Sequence, residues 1–449
     1  MGSGPAGFYA AGALLGGEIS AEVDMIERLP TPWGLVRLGV APDHPNIKAV
    51  SRAFERIAER PGFRFLGNLE VGRDLQHGEL IQLYGAVVYA VGAQTDRRIG
   101  IPGEDLPGSW PATAFVAWYN GHPDFQELPF DLDVGCAVVV GNGNVAVDVA
   151  RMLALTPEEL RPTDTTDAAI AAIGSSPLEE IVVLGRRGPV QAAFTTPELK
   201  ELGELAGADI AVDPADLELD PASEEALAHD TAARRNLEVL REYAERLPSG
   251  KPKTLRLRFL SSPVAILGDE RVEAVEIVRN RLETDGRGRI AAVPTDERET
   301  IPCGLVLRSV GYGGVPLPDV PFDGERGTIR NDRGRVLDEG GSPVRGVYCT
   351  GWIKRGPSGV IGTNKKDATE TIALLQEDLA AGRIERRGGS AGTVDTLLRE
   401  RGVSHVLYDG WTAIDVHERD RGKEQGRPRV KLVTWEDMLE AATSRGLTP

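Results

Sequence analysis

The chain has 449 residues, of which 41% are hydrophobic and 53 are glycine, so it can fill two moderate cores and is too long for one ordinary domain. The formal net charge of −17 argues against nonspecific nucleic-acid binding. No run is apolar enough to span a membrane, which favours a cytoplasmic protein. The three cysteines form no CxxC pair, which argues against a metal site and against a dithiol reductase.

The chain opens with a glycine-rich turn that has the pattern of a dinucleotide fingerprint, formed by Gly2, Gly4, Ala6 and Gly7. The glycines permit a tight turn and a close approach of backbone to a pyrophosphate. Twenty residues after Gly7, Glu27 closes the run 22–26, where a carboxylate can accept hydrogen bonds from the ribose hydroxyls of FAD or NAD. The strand that should precede the turn is missing from the sequence, so we expect the natural chain to begin further upstream.

A second fingerprint lies at residues 141–146 and has its full structural context. Residues 136–140 predict a buried parallel strand, and residues 144–153 predict a helix. The fingerprint consists of Gly141, Asn142, Gly143, Asn144, Val145 and Ala146.

A paired arginine distinguishes the second nucleotide from the first. The apolar strand 181–184 ends in Arg186 and Arg187, where an acidic residue would otherwise select NAD. Guanidinium groups bind phosphate oxygens in bidentate geometry, so this half of the chain is predicted to bind NADP(H). The alternative is that both arginines are ordinary solvated charges at a strand end.

The order of the elements predicts an interrupted first domain. Residues 1–101 form its first part, residues 102–318 form a second α/β domain, and residues 319–449 return to the first. Within the second domain we predict one long helix at 223–246 and strands at 255–260, 272–278 and 305–312. The strand 346–352 should rejoin the first sheet, and three helical patterns after about residue 388 carry no chemistry that the sequence identifies.

Because the chain is acidic, an acidic electron carrier would have to dock on a local basic cluster. The candidates are Arg234–Arg235, the group Lys251, Lys253, Arg256 and Arg258, then Lys354–Arg355 and Lys365–Lys366. Each could equally be an ordinary solvated face.

Several long runs resemble one family, the adrenodoxin-reductase-type ferredoxin NADP reductases, and its actinobacterial members most. They are GSGPAGFY at 2–9, LPTPWGLVR at 29–37, GVAPDHP at 39–45, GRRGP at 185–189, AFTTPEL at 193–199 and GWIKRGPSGVIGTN at 351–364.

The resemblance implies an α/β fold with two Rossmann-like dinucleotide-binding domains, similar to glutathione reductase, in which an NADP domain is inserted into a discontinuous FAD domain. It implies FAD contacts at Ala6, Glu27, Leu35, Val71, Trp352, Gly359, Val360 and Ile361. It implies NADP(H) contacts at Asn142 to Val145, Arg186, Arg187, Glu198 and Gly359.

The implied activity is electron transfer from NADPH, as a hydride to flavin N5, to a ferredoxin-type iron–sulfur protein as single electrons. No iron–sulfur motif or metal site occurs in this chain, so the cluster belongs to the partner. Two other functions stay open: an NADPH dehydrogenase that reduces quinones or other small acceptors, and a nucleotide-binding redox sensor without turnover.

Two residues are candidates for proton chemistry beside the flavin and nicotinamide, by the same resemblance. An imidazole at His44 could tune the flavin or relay a proton, and Glu201 could assist. Alternatively, His44 is a surface histidine in a turn and Glu201 belongs to a solvated acidic stripe. Without the resemblance, Trp352 would be assigned to the core.

Overall fold

The computed structural model describes residues 1–17, 19–285, 289–359, 361–385, 387, 390–443 and 447–448. The chain forms two compact units. Unit 1 comprises Met1–Thr95, Asn120–Gln126 and Gly311–Pro449, and unit 2 comprises Asp96–Tyr119 and Glu127–Val310.

The α-helices of the described residues are α1 (Pro5–Leu15), α2 (Leu35–Leu38), α3 (Pro45–Lys48), α4 (Ser51–Ala58), α5 (His77–Leu83), α6 (Ala112–Tyr119), α7 (Asn144–Ala154), α8 (Pro157–Leu160), α9 (Asp167–Ser175), α10 (Thr196–Glu201), α11 (Pro221–His229), α12 (Thr231–Glu245), α13 (Trp352–Arg355), α14 (Ile361–Ala380), α15 (Ser390–Glu400), α16 (Tyr408–Glu424) and α17 (Trp435–Thr443). Short 3-10 helices span Pro123–Phe125, Pro189–Gln191 and Pro214–Leu217.

The strands are β1 (Val23–Ile26), β2 (Phe63–Leu66), β3 (Val87–Tyr89), β4 (Thr95–Asp96), β5 (Ser109–Pro111), β6 (Cys136–Val140), β7 (Glu180–Leu184), β8 (Ala208–Val212), β9 (Lys253–Arg258), β10 (Ser261–Leu267), β11 (Ala274–Thr284), β12 (Ile290–Pro302), β13 (Leu305–Arg308), β14 (Tyr312–Gly313), β15 (Phe322–Asp323), β16 (Thr328–Ile329), β17 (Asn331–Asp332), β18 (Arg335–Leu337), β19 (Pro343–Cys349), β20 (His405–Val406) and β21 (Leu447–Thr448).

Unit 1 contains two sheets that bear on the first fingerprint. Strands β1 and β2 pair in parallel, and β3 belongs to a second sheet with the order β17-β18-β19-β3. Strand β19 runs parallel to β3, from Val347–Val87 to Cys349–Tyr89. The strand predicted at 346–352 is therefore present as β19, and it pairs with a strand from the first part of the chain.

In space, Met1 and Gly2 lie between strands β1 and β3 and form hydrogen bonds to the residues of both sides. The Gly2 amide donates to Ile26 O (2.8 Å), the Met1 amino group donates to Val88 O (3.0 Å), and the Ala90 amide donates to Met1 O (2.8 Å). These are bonds of a parallel ladder about one residue long. The fingerprint turn is thus fixed on both sides, although no strand is assigned before it among the described residues.

Unit 2 is built on a six-stranded sheet with the order β5-β13-β6-β7-β9-β8, in which every neighbouring pair is parallel. Parallel sheets place the residues after their strands at one edge, where ligands bind in α/β folds. The loops after β6 and β7 are therefore neighbours. Strands β10, β11 and β12 form a separate antiparallel sheet.

Two details of the predicted elements were wrong or incomplete. The predicted helix 223–246 is divided into α11 and α12, because the Asp230 carboxylate accepts hydrogen bonds from the Ala232 and Ala233 amides and so caps a new helix. Residues 120–126, predicted within the second domain, lie in unit 1. There Asn120 Oδ1 accepts from Lys431 Nζ (3.2 Å) and Lys48 Nζ (3.4 Å).

Candidate nucleotide-binding sites

The glycines of the first phosphate loop, residues 1–7, differ in the space that surrounds each of them. Gly2 has φ +90°, and a Cβ there would lie 2.6 Å from Ala90 O. A Cβ on Gly7 would collide with Gly2 O, whereas a Cβ on Gly4 would meet no protein atom within 4 Å. The first and third glycines are therefore required by packing. The space beside Gly4 is left for a ligand, as the fingerprint predicts.

Helix α1 begins beside this open space. Its N-cap is Gly4, which forms no side-chain capping bond, so the first amides of α1 are not satisfied by a cap. Such amides and the positive end of the helix dipole attract a phosphate. Ala6 is buried in the first turn of α1. A Cβ added at Gly351 would lie only 2.6 Å from the Ala6 Cβ.

Glu27 lies directly after β1 and is attached to the loop. One of its carboxylate oxygens accepts from Ser3 N (2.9 Å) and Ser3 Oγ (2.7 Å), and the other accepts from Leu29 N (3.1 Å). A carboxylate has about four lone-pair sites, so capacity for ribose hydroxyls is left. Ser3 was missed by the sequence analysis because a serine inside the fingerprint gives no separate signal.

An apposed segment, residues 29–38, closes over the first phosphate loop. Trp33 donates its amide to Ser3 O (3.0 Å) and has φ +84°. A Cβ on Gly34 would lie 3.0 Å from Gly4 Cα, so only glycine fits comfortably there. Leu35 follows and is 47% exposed. The apposed segment thus approaches the loop at Gly34, and the residue after Gly34 is an exposed leucine.

The C-terminal helices hold the apposed segment from behind. The Arg37 guanidinium donates to both oxygens of Glu418 on α16 (2.8 and 2.5 Å), and Arg429 Nη1 lies 3.0 Å from Glu418 Oε2. Trp33 packs edge-on against Trp411, with ring centroids 4.8 Å apart. The Arg37–Glu418 and Trp33–Trp411 contacts join residues nearly 400 positions apart, and no local pattern in the sequence indicates them.

The loop around α13 is ordered by Asp367 on α14. Its carboxylate accepts from Gly351 N (2.5 Å) and forms ion pairs with Lys354 (2.8 Å) and Arg355 (3.2 Å). Trp352 Nε1 donates to Ser358 O (3.2 Å). The loop after α13 is therefore held to the first turns of α14.

The remaining predicted FAD contacts fall into different environments. Gly359 has φ +78° and precedes α14, whose first residue is Ile361. Val360 lies outside the described residues. Val71 is buried in the core of unit 1, so its side chain packs among apolar neighbours. His44 is also buried in unit 1, where its carbonyl accepts hydrogen bonds from the Ile47 and Lys48 amides of α3.

The second phosphate loop, residues 141–146 in unit 2, likewise has a crowded first glycine and an open second glycine. Gly141 has φ +137°, and a Cβ there would collide with Ser309 O, whereas a Cβ on Gly143 would meet nothing within 4 Å. Ala146 is fully buried at the third position. Gly143 caps α7 without a side-chain bond, so α7 also presents uncapped amides to open space.

Neighbouring residues fix the second phosphate loop. Asn142 O accepts from Ala193 N (3.0 Å), and Asn144 Oδ1 accepts from Thr195 N (2.8 Å). Val145 is half-buried in the first turn of α7. The run after residue 192 is thereby attached to the loop.

The arginine loop, residues 185–188, follows β7 beside the second phosphate loop. Gly141 N donates to Leu184 O (2.9 Å), which brings the two loops together. Arg186 is exposed and Arg187 is half-buried. Burial and the neighbouring charge of Arg186 lower the pKa of Arg187. No carboxylate among the described residues forms an ion pair with either guanidinium, so an anion bound here would relieve their repulsion.

Glu198 and Glu201 lie on α10, close to the buried Arg151 of α7. Glu201 Oε2 is 3.5 Å from Arg151 Nε, and Asp148 Oδ1 is 2.8 Å from Arg151 Nη2. Burial lowers the pKa of Arg151, and the charges of Glu201 and Glu198 oppose that shift. The two glutamates therefore help to hold α10 against α7, in addition to any role toward a nucleotide.

Most of the predicted basic docking clusters are partly exposed residues whose charged groups already have partners within the protein. Lys251 and Lys253 donate to main-chain carbonyls, and Arg256 and Arg258 pair with Glu180 and Glu299. Lys354 and Arg355 pair with Asp367, as described above. By contrast, Arg234 and Arg235 are exposed on α12, and Lys365 and Lys366 are exposed on α14.

Comparison with known proteins places the chain in a family. NADPH-ferredoxin reductase FprA of Mycobacterium tuberculosis (strain ATCC 25618 / H37Rv) is 49% identical over 449 residues, covering 98% of this chain and 97% of that protein. The chain belongs to the adrenodoxin-reductase-type NADPH-ferredoxin reductases. The mitochondrial NADPH:adrenodoxin oxidoreductase of Arabidopsis thaliana is 42% identical, covering 99% of this chain and 95% of that protein.

A solved structure supports the same membership in the NADPH-ferredoxin reductases. Mycobacterium tuberculosis FprA in complex with NADPH matches with a TM-score of 0.93 at 48% identity, covering 98% of each chain. The predicted family and the predicted fold class, with two Rossmann-like domains, are thereby confirmed. No protein-family model matched the chain. None of the helices in the described residues is both long and apolar enough to cross a membrane.

Proposed function

We infer that this NADPH-ferredoxin reductase transfers electrons from NADPH through FAD to a ferredoxin-type iron–sulfur protein. The observation that carries the inference is the pair of phosphate loops, each with a required first glycine and an open second glycine. One loop is followed by Glu27 and the other by Arg186 and Arg187, which are the acidic and basic selectors of two different nucleotides. Near-full-length identity to proteins named as NADPH-ferredoxin reductases agrees with it.

FAD fits unit 1. We assign its pyrophosphate to the open side of Gly4 and the first amides of α1, and its ribose to Glu27. Leu35 would contact it from the apposed segment, and Gly359 and Ile361 would present the start of α14. Bound FAD accepts two electrons together and releases them singly. The chain's own contribution is to bind and orient the cofactor.

NADP(H) fits unit 2. We assign its pyrophosphate to the second phosphate loop and its 2′-phosphate to Arg186 and Arg187. Glu198 is proposed as a further contact from α10. Bidentate arginine contacts fix the orientation of the coenzyme as well as its affinity.

Two measurements test the function. The purified full-length protein should show the visible absorption bands of bound flavin, and NADPH added without oxygen should remove them. Cytochrome c reduction should then require added ferredoxin. Flavin reduction followed by rapid transfer to a quinone without ferredoxin would favour a dehydrogenase, and a protein that binds NADPH without losing its flavin bands would favour a sensor.

We propose that His44 tunes the flavin or relays a proton and that Glu201 assists. Replacing His44 with glutamine should flatten the pH dependence of NADPH oxidation between about pH 5 and 8, because a glutamine side chain cannot take up or release a proton there. Glu201→Gln should have a smaller effect, because hydride transfer depends mainly on positioning. Stopped-flow rates across this pH range provide the measurement, with Glu204→Gln, exposed just after α10, as the control. An unchanged profile in the His44 variant would contradict the proton role.

We propose that ferredoxin docks on the exposed pair Arg234 and Arg235. Reversing both to glutamate should slow ferredoxin reduction by about tenfold or more at low ionic strength, because electrostatic steering is lost. The effect should weaken as salt shortens the Debye length to about 8 Å. Reduction of ferricyanide by NADPH should not change.

The matched control for the docking variant is Lys365→Glu with Lys366→Glu, which changes the net charge equally on a different helix. If this control slows ferredoxin reduction and the arginine variant does not, the docking face lies at α14.

A cytoplasmic location is also part of the proposal. The three cysteines are free thiols, and burial raises the pKa of each to about 12, so all three are poorly reactive. Free, unpaired cysteines suit a reducing compartment. Fractionation of cells that express the natural gene would test the location.

A further inference from the structure

We propose that Asn280 is a positioning residue for coenzyme selection: its amide holds the arginine loop in the conformation that binds a 2′-phosphate. The proposal rests on the proposed NADP(H) site and extends it to a strand outside the nucleotide-binding sheet. Asn280 lies on β11, in the antiparallel sheet, and is 3% exposed.

The main chain of the arginine loop is fixed from one side. The carbonyl groups of residues 185–187 each accept one hydrogen bond: Gly185 O from Ser261 N (2.9 Å), Arg186 O from Asn280 Nδ2 (2.8 Å) and Arg187 O from Leu260 N (3.1 Å). The donors from Ser261 and Leu260 are main-chain amides, whereas the donor from Asn280 is a side-chain amide. This side chain holds the peptide between the two arginines.

Asn280 occurs at an irregularity that aims it at the loop. The register of β11 and β12 shifts between Val278 and Asn280, and such bulges redirect a side chain. Asn280 Nδ2 also donates to Ser262 Oγ (2.8 Å). Its buried Oδ1 has no hydrogen-bond partner among the described residues. The side chain therefore uses its amide nitrogen on the arginine loop and leaves its own buried oxygen unsatisfied, which is unfavourable in itself.

The bond matters because the arginine side chains have no internal anchor. Neither guanidinium forms an ion pair within the part of the chain that the structure describes, so the direction of both side chains is set by the backbone that carries them. Without the Asn280 bond, the Arg186–Arg187 peptide can rotate, and ordering it on binding would cost conformational entropy. This entropy cost weakens the binding of a ligand that contacts the arginines and does not affect a ligand that makes no such contact.

Two probes isolate the effect: 2′,5′-ADP and 5′-AMP, which differ by the 2′-phosphate. Titration calorimetry on the full chain should show that Asn280→Ala weakens 2′,5′-ADP about tenfold, the equivalent of about 1.4 kcal/mol, and 5′-AMP less than twofold. Ser262→Ala is the matched control, since it removes the other acceptor of the same amide and leaves the bond to Arg186. It should change neither affinity more than twofold.

A double-mutant cycle with Arg186→Ala tests whether Asn280 acts through the arginine. In that background Asn280→Ala should cost less than twofold for 2′,5′-ADP. Asn280→Thr, close in size and favoured in strands, should repeat the selective loss if Asn280→Ala does not fold.

The proposal would be overturned by equal losses for both probes, or by an undiminished loss in the Arg186→Ala background. If removing both arginines leaves the difference between the probes unchanged, the proposed NADP(H) site is at fault rather than Asn280. Steady-state kinetics should agree, with a raised KM for NADPH and an unchanged kcat.

Discussion

Replacing Arg186 and Arg187 together with alanine should lower the preference for NADPH over NADH by about 100-fold or more. Each charge-assisted hydrogen bond to a phosphate contributes about 1.5 to 3 kcal/mol, and about 1.4 kcal/mol corresponds to a factor of ten. The loss should appear mainly as a higher KM for NADPH, because the 2′-phosphate is distant from the transferred hydride. The measurement is kcat/KM for both coenzymes with ferricyanide as acceptor.

The control must remove the same charge elsewhere in unit 2. Arg161 and Arg271 are exposed guanidinium groups paired with Glu158 and Asp131, so their double alanine variant lowers the net charge equally. It should leave the coenzyme preference within about twofold, since surface ion pairs contribute little. A preference that stays the same in the Arg186 and Arg187 variant would mean that the 2′-phosphate is bound by other residues.

The local parts of both sites could be predicted from the sequence because their causes are local. A fingerprint glycine is required by its own φ angle and by the atom facing it, as at Gly2 and Gly141. Glu27 lies twenty residues after Gly7, and Arg186 follows the apolar strand 181–184, so each selector residue could be located from a local pattern at a strand end.

The supports of these sites could not be predicted, because they come from distant parts of the chain. Asn280 looks like any polar residue in a strand until the register shift turns it toward Arg186. Glu418 looks like one more charge on a charged helix until the fold buries it beside Arg37. A sequence pattern gives periodicity, whereas these contacts depend on tertiary packing.

The same difference explains the basic clusters. Lys253, Arg256 and Arg258 form a charge run that suggests a docking surface. In the fold their heads meet Leu153 O, Glu180 and Glu299 respectively. A run of charges therefore shows where basic residues are, and only the packing shows which of them remain exposed to a partner.

Glu418→Gln should cause the largest loss of stability of any single substitution considered above. Glu418 is fully buried between Arg37 and Arg429, so neutralising it leaves two guanidinium groups without their shared counter-charge. Breaking a buried pair in this way costs about 3 to 5 kcal/mol. For a unit of roughly 240 residues this lowers the melting temperature by about 10 °C. Because Arg37 belongs to the apposed segment, flavin release should occur at a correspondingly lower temperature.

Flavin fluorescence measures the temperature of flavin release during heating, and circular dichroism measures the melting temperature in the same experiment. The pH dependence of the melting temperature provides a second check. Burial alone would raise the pKa of Glu418, but Arg37, Arg429 and the Leu432 amide together hold it below its usual value. The stabilisation is therefore complete above the unfolded pKa of about 4.3 and is lost as the pH falls through the folded pKa. The difference in melting temperature between the parent and Glu418→Gln should accordingly be constant near neutrality and narrow below about pH 4. Asp420→Asn, an exposed change on the same helix, should shift neither transition, and an equal shift in both variants would show that the loss comes from the helix rather than from the buried pair.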